Sequence, residues 1–329
     1  KVTGVQTCAL PISLAYYYPW YIKDDWSRHG YQGTPQLGKY GTDDPAVVEQ
    51  HIKWGEQAGL DGFVVSWWGP DELTDRHFRS GYLKAGNIDR MKFAFIYECL
   101  GRLDKADGKK DSRIDFASPD VHAQWLKDFE YLRDNYFSHP SYLKIGERPM
   151  VILYVSRTFR NFNASHLSSL EQKLGVDLFL IADEPFIGRQ KNPQTAENGL
   201  RSGKALFDAY TAYNMFENAN VREGESAYAY MEREAMPIYR AWSEQTVFCP
   251  GIVPRYHDFR GHKPLVGTPE EYVRMIRDAR ALPYKPVGDG IDRIYLITSF
   301  NEWWEGSTIE PATEYGTTFL EATRQGFGR

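Results

Sequence analysis

The chain has 329 residues, 42% hydrophobic and 25% charged, with a formal net charge of −5. These are the proportions of an ordinary globular protein, and without a Lys/Arg-rich stripe a nucleic-acid partner is not expected. No window approaches 18 continuous apolar residues, so no membrane span is expected; Cys8, Cys99 and Cys249 are far apart and suggest neither a zinc site nor a disulfide framework.

The first segment, 1-KVTGVQTCALPISL-14, has too short an apolar part and no small-residue cleavage site for a signal peptide. It resembles the translated tail of a sequencing adapter of the kind carried into assembled metagenomic reads. Residues 1–13 are therefore expected to be non-native, with 14–329 forming one domain. An export signal is then not readable here, and the sequence leaves the compartment open.

From residue 14 onward, apolar runs alternate with longer helical patterns. The expected strands are 14-LAYYYPWY-21, 61-DGFVVSWWG-69, 92-KFAFIYE-98, 149-PMVILYVS-156, 178-LFLIAD-183, 205-ALFDAYTAY-213, 246-TVFCPGIVP-254 and 293-RIYLITSFNEW-303. Most are continuously apolar, as strands covered on both faces are. Helices are expected over 44–62, 120–137, 164–175, 226–245 and 268–281. The first has Asp44 as N-cap, Pro45 at the first turn and Gly59 as a stop. Strand and helix alternating about eight times in some 300 residues predicts a single (β/α)8 TIM barrel. An open doubly wound sheet is the alternative, disfavoured because no Gly-rich phosphate loop follows the first strand.

Functional residues of such barrels gather at the C-terminal ends of the strands. Those ends carry Tyr17, Tyr18, Trp20 and Tyr21; Trp67 and Trp68; Glu98; Tyr154; Asp183 and Glu184; Tyr210 and Tyr213; 254-PRYHDFRGH-262; and Asn301, Glu302 and Glu305. Together they predict a wide, aromatic, acidic cleft, and the 9 Trp and 22 Tyr suit either a large aromatic core or sugar stacking. Glycoside hydrolysis needs one carboxyl group as acid and a second as base or nucleophile, and the pair in 301-NEWWEG-306 meets that need. Neighbouring tryptophans would desolvate a glutamate as a general acid requires. The plainer alternative makes both glutamates solvated loop acids. Tyr17, Tyr18 and Trp67 suit core or cleft equally, His51 reads as a half-buried structural residue, and Asp183 and Glu184 would cap the following helix.

The run 297-ITSFNEWWEGSTIEP-311 resembles the signature of glycoside hydrolase family 99, the endo-α-mannosidase and endo-α-mannanase family. The resemblance extends to 15-AYYYPWY-21, 37–70, 96-IYECLGR-102 and, more loosely, 206-LFDAYTAY-213 and 250-PGIVPRY-256. It implies a (β/α)8 barrel and a retaining, endo-acting α-glycosidase that passes through a 1,2-anhydro sugar. Glu302 would be the base on the substrate 2-hydroxyl and Glu305 the general acid and base. Asn301 would support the pair, and Glu98 would contact sugar near the cut bond. Either Tyr213 or Tyr210 would match a tyrosine near the reacting centre, and Arg260 a sugar-contacting arginine. Trp68, Tyr18, Trp20, Trp304 and Tyr256 complete the expected glycan-binding set.

No metal or other cofactor is called for, the expected partner is an oligo- or polysaccharide, and the resemblance favours an extracellular or periplasmic setting. Three features depart from the family pattern: Trp304 replaces a histidine between the glutamates, the 69–75 loop is short, and residues 22–36 are compressed. The competing functions are a glycan-binding barrel without hydrolysis or a domain in polysaccharide biosynthesis, and a metal-dependent hydrolase built from 257-HDFRGH-262 with Asp183 and Glu184.

Overall fold

A computed structural model describes residues 10–26, 32–109, 113–185, 206–213, 221–258 and 263–329. Eight parallel strands form the ring: β1 Leu10–Tyr17, β2 Gly62–Trp67, β3 Lys92–Tyr97, β4 Arg148–Leu153, β5 Phe179–Asp183, β6 Ala209–Thr211, β7 in two pieces (Phe248–Cys249 and Gly251–Ile252) and β8 Ile291–Ile297. Each coincides with one of the expected runs. β1 begins four residues earlier, since Leu10, Ile12 and Ser13 pair with Ile291, Ile294 and Tyr295 of β8.

The ring is closed through β7. Pro250 has no N–H to give a ladder and divides the strand. Phe248–Cys249 pairs with β6, whereas Gly251–Ile252 pairs with β8, and the Pro250 carbonyl accepts from Leu296 N at 3.1 Å. Gly251 has no alternative, because a Cβ there would lie 2.1 Å from the Ala212 carbonyl oxygen. The fold is a (β/α)8 barrel, not an open doubly wound sheet.

Alternate residues of each strand point to opposite sides, as the pleat requires. Leu14, Tyr16, Val64, Ile96, Ile152 and Leu296 fill the interior. Ala15, Tyr17, Phe63, Val65, Trp67 and Phe95 pack outward against the helices. Every one of these is fully or almost fully buried, each larger side chain contributing about 1.5–3 kcal/mol.

Eight α-helices lie among the described residues: α1 Pro45–Gln57, α2 Leu73–Ser80, α3 Pro119–Leu132, α4 Ala164–Leu174, α5 Ala227–Tyr230, α6 Met236–Gln245, α7 Pro269–Ala281 and α8 Thr318–Phe327. A π-turn, Met231–Ala235, joins α5 to α6. Asp44 caps α1 as expected, accepting from Ala46 N at 2.9 Å, and Gly59 beyond its end takes φ +73°. Helices α2 and α8 have no counterpart among the expected ones. None of the helices is long and apolar enough to cross a membrane.

The short loop expected over 69–75 runs into α2, and its Asp75 is completely buried. Asp75 accepts from the indole of Trp67, the hydroxyls of Tyr131 and Tyr136 and the Asp71 backbone N. In Asp75→Asn one oxygen becomes an NH2 group facing donors. Chemical denaturation should then show a loss of about 2–4 kcal/mol, the cost of leaving buried donors unmet. An unchanged midpoint would show that the cluster does not hold this loop.

Candidate active site

The end of β8 carries the two glutamates into the mouth of the barrel. Asn301 fastens this turn to the first strand: its Oδ1 accepts from Tyr18 N at 2.7 Å and its Nδ2 donates to Tyr18 O at 3.1 Å. The hydroxyl of Tyr21 donates to Asn301 O at 2.7 Å and accepts from Trp303 N at 3.0 Å. Glu302 is buried, its backbone N bound to Ser299 Oγ at 2.7 Å and its Oε1 accepting from Trp304 N at 3.0 Å. Glu305 is half-buried, and its carbonyl accepts from His257 N at 2.7 Å. Gly306 follows at φ +58°, where a Cβ would meet the Gln32 side chain at 2.8 Å. The tight turn between the acids and the next segment therefore needs glycine.

Facing the glutamates, the hydroxyls of Tyr18 and Tyr213 are in direct hydrogen-bond contact. Burial, and then the charges of Glu302, Glu305 and Glu98, hold the Tyr18 hydroxyl well above its ordinary value. Burial holds Tyr213 up too, reinforced by Tyr18, Glu305 and Glu302. Both phenols therefore stay protonated through the neutral range and can act as donors. Glu98 closes this side, its Oε1 accepting from Ser66 Oγ at 2.7 Å. Burial, partly offset by Ser66 and reinforced by the charges of Glu305 and Asp183, pushes its carboxyl up to about 8. Trp68 donates to the same Ser66 Oγ at 3.1 Å. Trp20 lies against Tyr18 on one side and stacks on Trp304 on the other, 4.9 Å between centroids and 12° apart in plane.

Asn301, Glu302, Glu305, Glu98, Tyr18, Tyr213, Trp20, Trp68 and Trp304 are thus brought to one mouth. Tyr210 is not. One residue of strand parity turns it outward, where it packs against Phe207 and Trp242 and accepts from Leu206 N and Phe207 N. Of the two tyrosines, Tyr213 is the one that reaches the mouth. Tyr17 and Trp67 also face the outer layer, so both are core. Tyr256 is 2% exposed with its hydroxyl on Asp258; it borders a cavity of about 300 Å³ shared with Arg255, His257, Leu265 and Gly306. Arg260 and His262 lie outside the described residues.

Residues 186–205, which follow Asp183 and Glu184, lie outside the described residues, and with them the helix these acids were expected to cap. Asp183 is buried and accepts from Val155 N, Tyr213 N and Arg157 Nη1, so it holds the site's tyrosine by its backbone. Glu184 accepts from Ser156 Oγ at 2.8 Å, and burial pushes it up to about 8. Among the described residues, no three His, Cys, Asp or Glu side chains gather as a metal-holding group. Sequence reasoning passed over Ser66, which donates to the Glu98 carboxylate, and Ser299, which accepts from the Glu302 backbone N. A lone serine inside an apolar strand run is their only mark.

Residues 19–321 match the family model described as Glycosyl hydrolase family 99, and the chain belongs to that family. It is 24% identical over 299 residues to glycoprotein endo-alpha-1,2-mannosidase of Rattus norvegicus, across 84% of this chain and 56% of that one. With the glycoprotein endo-alpha-1,2-mannosidase-like protein of Homo sapiens the figure is 22% over 296 residues, 84% and 57% of the two chains. The chain therefore spans somewhat over half the length of the curated relatives it matches. Among solved structures it is similar to the GH99 endo-alpha-mannosidase of Bacteroides thetaiotaomicron bound to BIS-TRIS-Propane, with TM-score 0.67, 18% identity and 96% of each chain covered. A structure described as a glycoside hydrolase-like protein gives TM-score 0.72 at 17% identity, over 98% and 95% of the chains. At such identities these likenesses speak for the fold.

The two high carboxyls give a pH test. Each is protonated in the folded chain and ionised in the unfolded one between the ordinary 4.5 and about 8. Each therefore contributes stability that is full below 4.5 and lost as pH rises through about 8. Glu184→Gln should remove up to one proton from that dependence, about 1.4 kcal/mol per pH unit. Urea titrations between about pH 5 and pH 8 measure it. Parallel pH profiles for wild type and variant would refute the assignment.

Proposed function

We propose that this chain is a retaining, endo-acting α-glycoside hydrolase working on α-mannan or a related α-linked glycan through a 1,2-anhydro sugar. The observation that carries the reading is the convergence of Glu302, Glu305 and Glu98 on the Tyr18–Tyr213 hydroxyl pair, where β8, β3, β1 and β6 end. Family membership supports the chemistry, and the mannosidase names of the relatives support the sugar. The departures at Trp304 and 69–75 are the reason to keep related α-linked glycans in the proposal.

Glu302 takes the proton of the substrate 2-hydroxyl, and that oxygen attacks C1 as the C1–O bond to the leaving sugar breaks. Glu305 donates its proton to the departing oxygen. In the second half, Glu305 removes a proton from water, whose oxygen opens the three-membered ring at C1, and Glu302 returns its proton to O2. Two inversions at C1 give net retention. Only proton transfers at positioned carboxyl groups are needed, each worth about 10²–10⁴-fold. The hydrogen bond from Trp304 N to Glu302 Oε1 orients the base, and the half-buried setting of Glu305 leaves it reachable by both the leaving oxygen and water.

Hydrolysis by wild type, Glu302→Gln and Glu305→Gln should be compared on a panel of α-linked glycans and activated α-glycosides, with chelator present. Wild type is expected to cleave an α-mannoside, and each variant to lose roughly three or more orders of magnitude. If no glycan is cut yet one binds equally to all three proteins, the barrel is a glycan-binding module and the proposal falls.

A further inference from the structure

We infer that His51 and Glu310, neither of which faces the cleft, form a positioning pair that sets the height and tilt of the loop carrying both glutamates. The inference rests on the proposed roles of Glu302 and Glu305.

His51 is not half-buried but fully buried, on the inner side of α1. Its Nδ1 lies 3.0 Å from the Tyr17 hydroxyl, on the outward face of β1. Its Nε2 lies 3.2 Å from Oε1 of Glu310, also fully buried. The other oxygen, Oε2, accepts from Trp303 Nε1 at 2.8 Å and from Tyr40 OH at 2.7 Å. His51 Nε2 and Glu310 Oε1 approach without hydrogen-bond alignment, so a close contact, and beyond it the Glu310–Trp303 hydrogen bond, connects α1 to an indole flanked directly by Glu302.

Trp303 is itself completely buried, and its backbone is tied by the Tyr21 hydroxyl at its N and by Gln32 N at its O. The indole packs in one buried cluster with Tyr21, Trp26 and Tyr40 and donates to Glu310, so Glu310 is the fixed point against which the loop is registered. A buried carboxylate is costly unless its donors are aligned, so the loop has one favoured position. Displacements of about 1 Å in such a support cost on the order of 10²-fold in rate with little change in ground-state binding.

Two variants and two readouts test this. His51→Phe keeps a ring on α1 and removes both ring nitrogens; Glu310→Gln keeps the shape and replaces one acceptor oxygen. Amide hydrogen exchange of residues 299–307, followed by mass spectrometry, needs no activity. Exchange there should rise about tenfold or more in both variants while β2 and β3 stay as in wild type. On whichever panel glycan wild type cleaves, kcat should fall about 10- to 100-fold with KM changed less than about threefold, and the double variant should be no worse than the worse single one. Unchanged exchange in the loop, a rise spread over the whole barrel, or additive losses in kcat would each overturn the pair. If the loop loosens as expected in a protein that hydrolyses none of the glycans, the positioning pair stands and the hydrolase reading falls.

Discussion

Everything at the mouth of this barrel depends on one side-chain amide. Asn301 gives its oxygen and its nitrogen to the two backbone groups of Tyr18, as a facing strand residue would. It adds a rung to the β1–β8 ladder beyond the point where β1 ends, joining positions 283 apart in sequence. Side-chain amides carry the same donor and acceptor as a peptide unit, so the substitution is natural. The rung places Tyr18 beside the glutamates and leaves its hydroxyl free to meet Tyr213. Without it, the first and last strands would splay where the chemistry is proposed to occur.

Other loops are held by buried carboxylates, two of them on helices outside the ring and one at the end of β5. Asp128 takes the Tyr97 hydroxyl and the guanidinium of Arg102, bracing the segment after Glu98. Asp75 does the same for the turn after Trp68, and Asp183 gathers backbone groups from the ends of β4 and β6. A buried acid without partners would be strongly destabilising, and these are met by several donors each. Rigid loops follow from full satisfaction. The cleft can then present Glu302 and Glu98 in fixed directions, which is what the proposed chemistry would ask of a protein.

Much of this was legible in the residues. The eight strands stand out because barrel strands are covered on both faces and read as continuous apolar runs. The catalytic-face rule then located Glu98, Trp68 and the Asn301–Glu305 turn. Where the reading failed, the cause is local. The pleat alternates every residue, so Tyr210 and Tyr213 could not be told apart without knowing which neighbour faces inward. Helix α2, Leu73–Ser80, is a short polar stretch with no side-chain cap bond, and it reads as loop. Glu310 lay in plain view inside the quoted motif, but its partner Tyr40 is 270 positions away, and no spacing rule reaches that far.

The divided strand has a mechanical consequence. β7 shares only two residues with each neighbour, against six in the β2–β3 ladder. A cylinder yields along its thinnest seam, so the compliance of this one is concentrated between β6 and β8. Elastic breathing of the mouth is thereby steered to that flank. The stiffer arc from β1 to β3, with Tyr18, Trp68 and Glu98 at its rim, would be the anvil for the proposed glycan.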